Sequence, residues 1–207
     1  RHCPKCQGHL QEQWIHARET DLLNVKYFHV VFTLPHHLNE LVLQKPDLIY
    51  GLLFKTVWSL IKDFGDNPKL LGATMGMIAV LHTWGQNLSL HPHLHCIIPA
   101  GGITKSEKWK ATSAKGKPGC RKARYLFPIT EMKKVFRARF VSALRKEITL
   151  DTTLSEKLFA KHWVIYCEQP FYGPKQVIEY LGRYTHKIAI SNSRIMSVNN
   201  GQVTFRA

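Results

Sequence analysis

Short apolar runs and amphipathic stretches follow one another along the chain, and the period of each predicts an element. Lys26-Tyr-Phe-His-Val-Val-Phe-Thr33 is dense in aromatic and β-branched residues and is closed by Pro35, which predicts a buried strand. A short helical piece over Leu38–Gln44 follows, stopped by Pro46. Apolar residues then recur at helical spacing through Ile49, Leu52, Leu53, Val57, Leu60, Ile61 and Phe64. Asp47 is the expected cap of this helix, and Gly65-Asp66-Asn67-Pro68 its stop. Gly76–Trp84 and His91–Pro99 read as strands joined by a turn over 85–90, a hairpin.

Pro128–Lys146 places Met132, Val135, Phe136, Phe140 and Leu144 on one helical face and basic residues on the other. Leu154–His162 reads as a short helix and Trp163–Cys167 as a fourth strand. Pro174 is well placed to open a helix reaching about Thr185. Lys187–Ile190, Arg194–Val198 and Gln202–Phe205 alternate like strands, with Asn200-Gly201 a tight-turn signal. Strands and helices mix without strict alternation, so the expected class is α+β with a largely antiparallel sheet.

Bulk properties narrow the function. At 207 residues the chain has room for one ordinary core and a small accessory segment. No apolar run approaches the length of a membrane span, and nothing at the N-terminus resembles a signal peptide. The first residue is Arg1, which reads as a cut-out piece of a longer chain. Twenty-nine Lys and Arg against 14 Asp and Glu leave a net charge of +15, which points to a polyanionic partner. No basic amphipathic helix with an aromatic anchor face directs that charge to a membrane instead. Residues 104–124 carry eight Lys or Arg and one acid, and read as a long exposed basic loop with Lys105, Lys108 and Lys110 as candidate phosphate contacts. The Cys count of five is odd, which fits thiols or metal ligands in a reducing compartment better than a disulfide framework.

Two constellations carry chemistry. His91-Pro-His-Leu-His95 puts three imidazoles on one face of a strand, because successive side chains alternate faces. His93 and His95 can each give a ring nitrogen to one divalent metal; taken alone they fit a polar histidine face as well. The hairpin brings His82 back towards His93, which makes it the first choice for third ligand, with Gln86, His91 and His186 as alternatives. For phosphoryl chemistry Mg or Mn is the expected ion. The second constellation is Tyr180 and Tyr184, four residues apart and hence on one helical face. Such pairs usually pack; near a cation, and near Arg183, His186 and Lys187, a phenol becomes a usable nucleophile. At the start of the chain Cys3 and Cys6 have the spacing of half a tetrahedral zinc site, with His2, His9 or His16 as further ligands.

Together, His82-Thr-Trp, His91-Pro-His-Leu-His-Cys-Ile-Ile-Pro99 and Tyr180-Leu-Gly-Arg-Tyr-Thr-His186 resemble the HUH single-strand endonucleases. More narrowly, with Arg1-His-Cys-Pro-Lys-Cys-Gln7, Tyr27–Pro35 and Leu126-Phe-Pro128, the chain is similar to the two-tyrosine rolling-circle transposases of the IS ninety-one group of bacterial insertion sequences. The resemblance implies a ferredoxin-like HUH domain, a central antiparallel sheet flanked by helices, over 21–207. It implies that 1–20 is the remnant of an N-terminal Cys/His zinc-binding segment. It implies a metal on His93 and His95, attack by Tyr180 or Tyr184 to leave a 5′-phosphotyrosine, and a second tyrosine for a second transfer. The partner so implied is single-stranded DNA at a transposon end, in the bacterial cytoplasm at the nucleoid, with no small-molecule substrate and no membrane. Arg183, Lys187, the loop lysines and Trp84 would grip it. Two rivals share the residues: a rolling-circle replication initiator of the same chemistry, and a non-catalytic zinc module that binds single strands by stacking and charge.

Overall fold

The computed structural model describes residues 12–13, 15–17, 21–85, 87–112, 126–167, 173, 176–178, 180 and 194–206. Strand β1 (Tyr27–Thr33) leads through a 3-10 turn, His36–Leu38, to helices α1 (Asn39–Gln44) and α2 (Pro46–Asp66). The hairpin β2 (Ile78–Trp84) and β3 (Leu90–Pro99) follows, then a small hairpin β4 (Gly101–Ile103) and β5 (Trp109–Ala111). Helices α3 (Ile129–Glu147) and α4 (Thr152–Ala160) return the chain to β6 (Val164–Cys167), and β7 (Ile195–Asn199) with β8 (Gln202–Phe205) forms a separate ribbon.

The four-stranded sheet has the order β2-β3-β1-β6 and every pairing in it is antiparallel. Setting the small hairpin aside, the order of elements is β-α-β-β-α-β, the ferredoxin-like arrangement. The expected α+β class and antiparallel sheet are therefore present.

Alternation assigns the two faces. Phe28, Val30 and Phe32 of β1, Leu94, Cys96 and Ile98 of β3 and Ile165 of β6 enter the main core with Leu53, Val57, Leu60 and Ile61 of α2 and Phe136, Phe140 and Leu144 of α3. The histidines lie on the opposite face. Arg139 ties α3 to α2, its Nη2 2.7 Å from Asp63 Oδ2 and its Nη1 donating to Ser59 Oγ at 3.2 Å. Phe136 is fully buried and meets Phe32 and Trp163 edge to face, with ring centroids 5.2 Å from each. Phe136→Ala is expected to cost about 3–5 kcal/mol, read as a lower urea midpoint at unchanged slope.

Three local expectations are corrected. Asp47 does not cap α2. Lys45 occupies that position and Pro46 begins the helix, its φ pre-set for a first turn; Asp47 lies in that turn, where a carboxylate meets the positive helix end. Helix α4 begins at Thr152, two residues before the apolar pattern suggests. Residues 104–112 are not a free loop: Gly101, Gly102 and Ile103 pair with Ala111, Lys110 and Trp109. A Cβ on Gly101 would lie 2.5 Å from the Trp109 ring, so glycine permits the indole to cross the strand there. The Asn200-Gly201 turn is present, both residues having positive φ. Among the described residues no helix is long and apolar enough to cross a membrane.

Candidate metal and nucleophile site

Register brings the histidines together. His82 on β2 lies directly across from His93 on β3, so their side chains are nearest cross-strand neighbours. His95 follows two residues later on the same face, and its strand partners are Val80 and Val31. A register shift between His82 and Trp84 marks a bulge, a device that re-aims side chains. One ligand atom each from His82, His93 and His95 lies within 4.8 Å of the others. His82 and His95 are buried and His93 half-buried.

Hydrogen bonds select the ring atoms that face this point. His93 Nδ1–H donates to the His91 carbonyl at 2.6 Å, which leaves Nε2 with its lone pair. His95 Nδ1 lies 2.9 Å from His29 Nε2 and 3.3 Å from Tyr180 Oη, so Nε2 is again the atom available to a cation. Nε2 of His82 and Nε2 of His95 are both shut off from solvent. Burial holds the pKa of His93 below the ordinary histidine value; the bond to the His91 carbonyl opposes this, and the charge of His91 adds to it. The neutral imidazole is the metal-binding form. Three imidazoles converging in a partly dry site fit a divalent cation.

Tyr180 is helical and rests on the same face of the sheet, packed near Tyr27, Ile97 and Val177. Its Oη and His29 Nε2 share a hydrogen bond of 2.9 Å, and the two ring centroids are 4.6 Å apart. His29, buried on β1 opposite Ile97, stacks on His95 with rings 5.1 Å apart and inclined by 3°. Sequence reasoning passed over His29. The signal was a single polar residue inside the apolar run Tyr27–Phe32, whose face could be known only once β1 was paired with β3.

The other expected residues lie around or away from this point. His91 is exposed, and its ring stands 5.3 Å from that of His93. Trp84 stacks on His82 with centroids 5.6 Å apart and rings nearly parallel. Lys105, Lys108 and Lys110 belong to the β4–β5 hairpin beyond the far end of β3 from His93, roughly 25 Å along at ~3.3 Å per residue. Cys3, Cys6, Gln86, Arg183, Tyr184, His186 and Lys187 lie outside the described residues.

The site thus sets a convergent group of metal-type ligands beside a hydrogen-bonded phenol. Comparison with known proteins identifies the family. Residues 76–207 match a family described as a putative transposase, and residues 1–34 match a transposase zinc-binding domain. The chain is 39% identical over 224 residues to the putative transposase y4qJ of Sinorhizobium fredii, covering 100% of this chain and 54% of that protein. It is 28% identical over 216 residues to the transposase for insertion sequence element IS801 of Pseudomonas savastanoi pv. phaseolicola, covering 97% and 49%. The chain belongs to this transposase family, and it spans about half the length of the curated relatives it matches.

Among solved structures, the conjugative relaxase TrwC in complex with mutant OriT DNA aligns with a TM-score of 0.39 and 18% identity, over 56% of this chain and 43% of that one. The metal-bound TrwC–OriT complex gives 0.39 and 15%, over 59% and 44%. The zinc-binding match runs through β1, yet β1 is hydrogen-bonded into the sheet between β3 and β6. In the fold, therefore, β1 belongs with the residues of the longer match.

Proposed function

We propose that the chain is the catalytic core of a rolling-circle transposase that nicks single-stranded DNA and joins the cut end to a tyrosine. One observation carries this reading: the Tyr180 hydroxyl is hydrogen-bonded to His29 and lies 3.3 Å from the back of His95, whose other nitrogen belongs to the converging histidine cluster. His82, His93 and His95 would hold Mg or Mn, which when bound polarises the scissile phosphate and offsets the charge that develops on it.

The remaining steps belong to the chain. Tyr180 Oη forms a bond to phosphorus and the bond from phosphorus to O3′ breaks, leaving a 5′-phosphotyrosine. The phenolic proton has His29 Nε2 within 2.9 Å as acceptor, and O3′ departs as a hydroxyl with a proton from water. With Nε2 of His95 as the metal-binding atom, His95 Nδ1 would carry a proton and donate to Tyr180 Oη at 3.3 Å, whose own proton is directed to His29 Nε2. Tyr184 is the second tyrosine, available for a second transfer. Zinc on Cys3 and Cys6 would order the N-terminal segment 1–20 beside the catalytic unit 21–207, and the match to a zinc-binding domain supports that. The substrate is the transposon end, and its setting the bacterial cytoplasm at the nucleoid.

The test is incubation of the full-length protein with a labelled single-stranded oligonucleotide carrying an element end, with Mn or Mg. An SDS-resistant adduct is expected; its absence with every end sequence would contradict the enzyme reading. In this scheme His29 both orients the attacking oxygen and receives its proton. His29→Ala is expected to slow adduct formation about 10–100-fold. His29→Gln, whose amide oxygen can accept the phenol's hydrogen bond, should restore part of the rate. Equal rates for the two variants would remove that role.

A further inference from the structure

Past His93 the sheet ends at a cavity, at the point where β1 runs into the 3-10 turn. Thr33 closes β1, and Leu34–His37 turn away to meet α4 and the segment that enters β6. Between them lies a space of about 250 Å³ with buried Leu34, Leu158 and Trp163 as its floor and Thr33 and His91 at the edge nearest the cluster. His36, His37, Lys157, Lys161 and His162 surround it, and none of the described residues lining it is acidic.

The walls are fixed in place. Arg137 Nη1 donates to the carbonyls of Phe159 at 3.0 Å and Lys161 at 3.1 Å, pinning the turn that carries Lys161 and His162. Trp163 Nε1 donates to the Leu158 carbonyl at 3.0 Å. The pKa of His37 is lowered, first by burial and then by the charges of His36, Lys157 and Lys161. Positive charge therefore converges on an apolar hollow with no carboxylate to answer it. That is the character of a subsite for one nucleotide, with base on the floor and phosphate at the rim.

Its place relative to Tyr180 gives a polarity. Tyr180 and His29 stand beside His95, which pairs with Val31; His93 pairs with Thr33, which lines the cavity. Along the strands the order is therefore phenol, histidine cluster, cavity. Displacement at phosphorus runs in line, with attacking and leaving oxygens on opposite sides.

We propose that this cavity binds the nucleotide immediately 5′ of the scissile phosphate, the one released with a free 3′-hydroxyl, with its backbone phosphate against Lys157 and Lys161. The proposal rests on the single-strand nicking reading and locates the 5′ side of the nick on the protein.

Both lysines are exposed, so Lys157→Gln with Lys161→Gln should leave the fold intact. Fluorescence anisotropy with a labelled single-stranded element-end oligonucleotide, in chelator to suppress cleavage, measures binding by the full-length protein. The double variant is expected to bind on the order of tenfold more weakly, with a log–log salt slope shallower by about 1.4. On the wild type, 5-iodouracil placed 5′ of the cleavage point should photo-crosslink to peptides bearing His36, His37 or His162, while the same base placed 3′ should not. An unchanged affinity and slope, or crosslinks from the 3′ position alone, would overturn the proposal. Failure of the wild type to bind single strands at all would strike the nicking reading itself, a result distinct from either.

Discussion

Tyr180→Phe is expected to abolish the covalent protein–DNA adduct while leaving fold and metal affinity in place. The substitution keeps the aromatic ring against His29 and in the small cluster with Tyr27, Ile97 and Val177. It removes only the hydroxyl and its contacts to His29 Nε2 and His95 Nδ1, each worth about 0.5–1.5 kcal/mol of stability. What disappears is the attacking oxygen, so the adduct rate should fall on the order of 10⁴-fold or more. Denaturing gels give the rate and manganese titration calorimetry the affinity. An adduct that survives in Tyr180→Phe and vanishes in Tyr184→Phe would transfer the attack to Tyr184 and contradict the nucleophilic role of Tyr180.

The second large effect is expected at His95. Its ring serves two sides at once, with one nitrogen towards the cluster and the other towards His29 and Tyr180. His95→Ala removes a ligand atom and the group that aligns the phenol with it. Manganese affinity should fall on the order of 10²-fold, and the adduct should drop below detection even at saturating metal. His91→Ala offers the contrast for metal binding. The His91 main-chain carbonyl, not its ring, accepts the bond from His93, and the substitution keeps that carbonyl. Its manganese affinity should stay within about threefold of wild type. If His91→Ala weakened manganese binding as much as His95→Ala, the ligand set would be wrong.

Much of the site was legible because strand geometry is simple. The two-residue period puts His93 and His95 on one face in any strand, and the hairpin after Trp84 returns His82 to their side. Alternation also explains why Cys96, between His95 and Ile97, enters the core, where burial pushes its thiol pKa far up. Long-range pairing was not legible. His29 reaches His95 only because β1 lies beside β3, a contact between residues 66 positions apart that no local pattern encodes.

The loop lysines stand away from the cluster for a related reason. Adjacency in sequence to β3 is adjacency to its far end, and an extended strand carries the chain away from His93 with each residue. The cavity rimmed by Lys157, Lys161 and His162 was invisible for the same cause. Its walls come from the end of β1, the start of β3 and the α4–β6 turn, and only the folded sheet brings them together.

The point of covalent attachment between protein and DNA is the most direct test of a metal-assisted tyrosine nucleophile. The full-length protein, reacted with an element-end single strand in Mn, can be digested and its DNA-linked peptide identified by mass spectrometry. A 5′-phosphate on the Tyr180 side chain is expected, formed with Mn and suppressed by chelator. A linkage to a residue other than Tyr180 or Tyr184, or one formed equally well in chelator, would contradict that chemistry.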